Sequence, residues 1–192
     1  MNEGNGREYV LATARELYGR AVYTHKTHEQ ERQIWSDKAR LMNYINIALV
    51  SATTVFAVVS VALQPKWLLI LTALFAFATT AFVLWQTSFD PIGNENRHRT
   101  AAKELLWVRE QLLLLIERCH VATEPWDHLQ LFLESITREL TAIYKFVPDT
   151  SSKAYALAST ALKSGEFTFS DDEIDAFLPT KLRKSFPGNK PE

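Results

Sequence analysis

The chain is poor in cysteine and glycine, carries almost no net charge, and over two long stretches has no charged side chain at all. Cys119 is the lone cysteine among 192 residues, which excludes a disulfide framework and agrees with a reducing compartment. Six glycines are scattered, and none forms a phosphate-cradling loop. Lys and Arg number 21 against 22 Asp and Glu, so no basic face is available and no direct nucleic-acid binding is expected. Residues 1–40 hold no apolar run, and the first apolar run lacks a small-residue cleavage pattern, so no secretory signal peptide is expected. No internal repeat or low-complexity segment is present.

The missing charge is the most informative absence. Residues 41–65 and 67–89 contain no Asp, Glu, Lys or Arg, with Lys66 between them. About 20 apolar residues at about 1.5 Å each cross a hydrocarbon core of about 30 Å, and both runs suffice. Trp67 and Trp85 frame the second run about 27 Å apart on a helix, as interfacial anchors in an aromatic belt would be. Asn46, Ser51, Thr53, Thr54 and Ser60 make the first run less apolar, but Ser and Thr hydroxyls can bond to the preceding turn of carbonyls. Gln64, Pro65 and Lys66 leave room only for a tight reversal, so the spans form an antiparallel hairpin. Lys26, Arg32, Lys38 and Arg40 precede it and Arg97, Arg99 and Lys103 follow it. Positive charge thus favours both termini on the cytoplasmic side.

The fold class expected is an all-α integral membrane protein, a two-helix transmembrane hairpin with a cytoplasmic helical bundle. Its parts are a cytoplasmic N-terminal helical region (1–43), the hairpin (44–89, spans 44–63 and 67–87), a cytoplasmic helical domain (90–186) and a disordered tail (187–192). Val10, Leu11, Ala14, Leu17, Tyr18, Ala21 and Val22 share one helical face, and the polar residues 25–38 continue that helix as a rod into the first span. Asp90, Pro91 and Gly93 mark a break, with a helix resuming at Asn94 on a stripe of Leu105, Val108, Leu112, Leu115 and Cys119. Pro125 suits the first turn of a further helix, striped by Leu129, Leu133, Ile136, Leu140 and Ile143 and ended by Pro148. A short helix is expected over residues 152–163, stopping at Gly165. Residues 167–169 read as a short extended piece, and Ser170 with Glu173 as a capping box before Ile174, Phe177 and Leu178.

Chemistry-bearing constellations are scarce. His25, His28 and Glu29 put two imidazoles three residues apart without an evident third ligand, which reads as a solvated helix face. His98 lies between Arg97 and Arg99; with Arg40 these form a juxtamembrane basic group suited to anionic lipid. His120 and His128 flank Pro125 without a nucleophile, and Cys119 falls on an apolar stripe as an inert buried thiol. Asp171, Asp172, Glu173 and Asp175 fit the first turn of a capped helix, where carboxylates favour the macrodipole. No enzyme, metal or cofactor is expected. In the first span Asn43, Asn46, Val50, Thr53, Ala57, Ser60 and Gln64 recur at helical steps, and Thr72, Ala76, Thr79, Val83 and Gln86 do so in the second. Such stripes serve close helix packing or line water, and both uses remain open. A single hairpin encloses nothing, so water lining would require several copies.

The hairpin, its entry helix and the run His98-Arg99-Thr100-Ala101-Ala102-Lys103-Glu104-Leu105-Leu106-Trp107-Val108-Arg109 together resemble the SLATT proteins, the SMODS- and SLOG-associating two-transmembrane effectors of bacterial defence systems. Leu105 stands where Tyr is common in that family, and Val108 where Leu is. Residues 167–182 look like the extension of one subfamily. The resemblance implies an anti-phage effector that oligomerises in the inner membrane and permeabilises it when an upstream sensor fires, causing death or arrest by abortive infection. The partners it implies are membrane lipid, further copies of the chain, and a sensor of the kinds found in that family: a nucleotide-second-messenger synthase, a nucleotide-sensing protein or a reverse transcriptase. The alternative is a non-conducting, membrane-anchored interaction or sensing module.

Overall fold

A computed structural model describes residues 3–121, 124–168 and 170, and these form five helices with no strand among them. The helices are α1 (Glu3–Leu63), α2 (Lys66–Phe89), α3 (Pro91–His120), α4 (Trp126–Phe146) and α5 (Ser152–Lys163). Proline sets this punctuation. It lacks the N–H that a helix interior needs, and its fixed φ suits a helix start. No proline interrupts α1, whereas Pro65 caps α2, Pro91 opens α3, Pro125 caps α4 and Pro148 lies just beyond its end.

Helix α1 runs without a break for about 90 Å, so the expected rod into the first span is present. Gln64, at φ 54°, and the extended Pro65 reverse the chain in two residues. Helices α2 and α3 then return along α1, as successive contacts record: Phe56 with Phe75, Thr53 with Thr79, Trp35 with Phe89, His28 with His98 and His25 with Ala102. Asp90 separates the two returning helices. Its left-handed φ of 43° ends α2, and its carboxylate accepts the Gly93 N–H at 3.0 Å to start α3. Helix α3 therefore begins at Pro91, three residues before the start read from sequence.

Two environments divide this hairpin. Along residues 41–85 the surface is apolar, with Leu41, Ile47, Val55, Val58, Val61, Leu69, Ile70, Leu74, Phe77 and Leu84 exposed. Both helices there are long and apolar enough to cross a membrane. Beyond them the apolar side chains turn inward. Val10, Ala14 and Ala21 of α1 pack with Leu105, Val108, Leu112, Leu115 and Cys119 of α3 and Leu129, Leu133, Ile136, Leu140 and Ile143 of α4. The stripes of α3 and α4 thus bury against neighbours of their own chain. At the far end the Arg7 guanidinium donates to the Cys119 carbonyl at 3.2 Å, satisfying an orphan acceptor of the last turn of α3. Phe167 lies in a turn after α5, where an extended piece was expected, because Gly165 (φ 86°) reverses the chain and the Thr168 N–H closes on the Gly165 carbonyl at 2.9 Å. Phe169, the Glu173 half of the capping box, Ile174, Phe177, Leu178 and the tail lie outside the described residues.

Candidate functional site: the spans and the adjoining polar layer

Threonine hydroxyls in the spans are satisfied locally. The hydroxyls of Thr53, Thr72 and Thr79 donate to the carbonyls of Leu49, Leu68 and Phe75 at 2.8, 2.9 and 2.7 Å, and Ser60 donates to Ala57 at 2.8 Å. Such back-bonding lets hydroxyls enter hydrocarbon. Thr53 and Thr79 also meet across the hairpin, Oγ1 to Oγ1 at 3.3 Å, and Ser60 is buried between the helices at 4 % exposure. Asn46 Oδ1 is buried and accepts no hydrogen bond; its side chain borders a cleft with Val83, Gln86, Asp90 and Pro91. Gln64 is exposed at the turn, so it does not join this seam.

The expected anchors are exposed, Trp67 at the turn end and Trp85 at the other. Trp85 belongs to a larger aromatic group. Its ring stacks on Phe89 at 5.5 Å, Phe89 meets Trp35 at 5.5 Å, and the Lys38 ammonium sits 4.0 Å from the Trp35 ring centroid. Aromatic rings beside a cation suit the headgroup boundary. Arg40, Arg97 and Arg99 are exposed, and each pairs with a nearby carboxylate: Asp37, Asp90 at 4.0 Å and Glu95 at 2.5 Å.

Next to the spans lies a layer that sequence reading misplaced. His25 and His28 of α1, expected with Glu29 on a solvated face, are buried together with Lys26, Thr27 and Glu31, Glu29 is half-buried, and His98 of α3, grouped with Arg97 and Arg99 as lipid-facing, is only 3 % exposed. His98 points the other way because it lies on the face of α3 that meets α1. His28 Nδ1 and His98 Nδ1 are 3.0 Å apart, so one ring donates and the other accepts, and both cannot carry an Nδ1 proton at this contact. Burial, then the neighbouring His98, pushes His28 down to about 4 against the opposing pull of Glu31. Burial likewise lowers His98, with Glu31 opposing. His25 is lowered by burial in spite of the hydrogen bond its Nδ1 donates to the Ala102 carbonyl at 2.8 Å. All three are therefore neutral near pH 7.

The charged members of the layer are tied to α5 and the turn after it. Glu31 Oε2 accepts the Ser151 N–H at 2.9 Å and the Ser151 hydroxyl at 2.5 Å. Burial raises its pKa, but these two bonds outweigh it and hold the carboxyl below its ordinary value. Lys26 donates to Glu29 at 2.9 Å and pairs with Glu166; burial lowers its pKa, and the two carboxylates more than restore it. The Phe167 ring lies 5.4 Å from Lys26 Nζ and 4.9 Å from Arg109 Cζ. Among the described residues no three His, Cys, Asp or Glu side chains form a metal-binding group. Cys119 is buried, and burial raises its thiol pKa, so the thiolate form is disfavoured.

One signal for this layer was legible. Val10, Ala14, Leu17 and Ala21 step along the buried face of α1, and His25, His28 and Trp35 continue the same steps. The face stays inward while its residues turn polar.

A helical hairpin with one lipid-ready end and one packed end defines a membrane protein with two candidate spans and further helices attached to them. The comparisons give its family. The model for the SMODS and SLOG-associating 2TM effector domain family 4 matches residues 11–173, and the chain belongs to that family of two-transmembrane effectors associated with defence systems. No curated protein and no solved structure matches it significantly.

Proposed function

We propose that the chain is an effector of bacterial anti-phage defence that oligomerises in the inner membrane, with both termini cytoplasmic, and permeabilises it when an upstream sensor fires, so that the cell dies or arrests. The observation that carries this reading is the seam of Asn46, Thr53, Ser60 and Thr79 inside an otherwise lipid-ready hairpin. A single hairpin has no interior for water. Several copies around an axis would have one, and the seam supplies a run of hydroxyl and amide groups, drawn from both helices, able to line it. The polar contacts of the seam resist rearrangement little, because a hydrogen bond between membrane helices is worth about 0.6 kcal/mol and Asn46 Oδ1 has no partner to lose. The orientation rests on the cations flanking the outer ends of the spans against Lys66 alone in the turn. The sensor belongs to one of the three classes the family resemblance implies.

The test is inner-membrane potential, read with a voltage-sensitive dye in phage-challenged cells that carry the whole defence system, for wild type and for a variant combining Thr53→Val, Ser60→Ala and Thr79→Val at matched membrane levels. These changes remove hydroxyls with little change of shape, whereas Leu at buried Ser60 would pry the helices apart. Depolarisation by the wild type and not by the variant is expected. Equal depolarisation would remove the seam from the conduit.

A second reading, a membrane-anchored module that recruits a partner without conducting, is favoured by exposed Trp107 and Phe146. These border a groove between α3 and α4 with Lys103, Glu104 and Ile143. Loss of function on Trp107→Ala, with the membrane polarised throughout, would select it.

A further inference from the structure

Helix α5 is attached differently from the others. The apolar core joins α1, α3 and α4 and contains no residue of α5. Of its 12 residues, only Ala154 and Ala158 are buried. A helix this short is marginal by itself, and two alanines bury little apolar surface.

What holds α5 is polar. The Glu31 carboxylate takes both the N–H and the hydroxyl of Ser151, the residue that caps α5 through its 3.2 Å bond from Ala154 N. Lys26 holds Glu166 in the turn beyond the other end. Between these ends Tyr155 stacks on Tyr23 with ring centroids 6.2 Å apart. Each tether is a buried or half-buried charge that water would solvate on release, so detachment recovers desolvation energy that an apolar contact would forfeit. The core would meanwhile remain packed. Few buried apolar contacts and attachment through charge characterise segments that open locally.

The location gives such opening a consequence. Residues 25–31 lie on α1 between the packed core and the first span, and on their other side His25 and His28 meet α3. Any rotation of the span relative to the core passes through this stretch.

We propose that α5 and its following turn form a detachable strap that, clamped on Lys26 and Glu31, holds α1 against α3 and keeps the hairpin closed, and whose release lets the spans rearrange. This rests on the conduit reading above. Glu31→Ala removes the acceptor for the N-terminal end of the strap, and Ser151→Ala, at an exposed position, removes the hydroxyl half of the same tether together with the cap of α5, with α1 itself unaltered. In membranes, deuterium uptake over residues 152–163 should rise at least tenfold in Glu31→Ala and less in Ser151→Ala, with uptake over residues 105–119 unchanged. Depolarisation should follow the same order in the absence of any trigger, with wild type remaining polarised. Adding Tyr23→Cys and Tyr155→Cys to Glu31→Ala in a Cys119→Ala background, and bridging the pair with a short bismaleimide, should restore the potential.

Equal depolarisation by wild type and both variants overturns the strap and leaves the conduit standing. A freed α5 with no depolarisation in either variant overturns the strap, and the conduit reading then stands or falls on the phage-challenge test above. If Glu31→Ala also loosens residues 105–119, Ser151→Ala decides, because its side chain lies outside the core.

Discussion

Acidification from pH 7 to pH 5 should loosen the contact between α1 and α3, and the size of the effect follows from His28. Its imidazole is 2 % exposed and titrates at about 4 in the folded chain, against 6.5 when unfolded. Between these values the unfolded chain binds the proton more readily, so stability rises with pH across the window and is lost as pH falls through it. At pH 5 the linkage relation gives a loss of about 2 kcal/mol relative to pH 7, and below pH 4 the loss levels off at about 3 kcal/mol. His25 and His98, also lowered by burial, add in the same direction. Glu31 adds its own loss only below the ordinary carboxylate range, since its folded pKa lies beneath that range. The assay is hydrogen exchange of the chain in lipid nanodiscs, expressed as protection free energy so that the intrinsic pH dependence of exchange cancels. Amides of residues 98–108 should lose about 2 kcal/mol of protection, and His28→Gln should remove at least half of the slope. Protection that stays flat between pH 7 and pH 5, or an unchanged slope in His28→Gln, would refute the assignment of a neutral buried pair.

Other expectations concern the core and the junctions. Ile136→Ala empties a fully buried position and should cost about 2–5 kcal/mol in the urea stability of the packed helices, leaving membrane insertion intact by carbonate extraction. A Cβ at Gly93 would meet Asp90 Oδ2 at 1.9 Å, so Gly93→Ala should displace the cap that starts α3 and cost about 1 kcal/mol, seen as faster exchange in its first turn. At Gly6 a Cβ would approach the Trp126 ring to 2.7 Å. Gly6→Ala should therefore shift Trp126 fluorescence, measured with the other tryptophans replaced by phenylalanine, and lower the thermal midpoint.

Much of the fold was legible because its determinants are local. The charge-free runs marked both apolar helices, and the prolines marked where helices begin and end. The stripes 105–119 and 129–143 named residues that the structure buries, since apolar periodicity records which face of a helix avoids water. Residues 25–31 defeated the same logic. His25, His28 and Glu29 were read as solvated because they are polar, whereas His25, Lys26, Thr27, His28 and Glu31 are buried with hydrogen bonds satisfied; the helical steps continued inward, but only the tertiary partners show how polar groups there are satisfied. His98 was misplaced for a related reason: its neighbours in the chain are arginines, but its neighbour in space is a histidine 70 residues away.

The sequence by itself determined that this chain has two candidate membrane spans, a tight reversal within Gln64, Pro65 and Lys66 between them, and further helices with one apolar face each, because length, charge and period act within single helices. Only the tertiary structure decided which faces meet. The two-residue turn at Gln64 and Pro65 and the left-handed Asp90 together set the axial alignment of α1 against α2 and α3, and that alignment puts Thr53 opposite Thr79 and His28 opposite His98. The return of the chain after Pro148 then brings Ser151 onto Glu31. Period specifies a face but not its partner, and the partner depends on backbone geometry at a few junction residues far from the contacts they create.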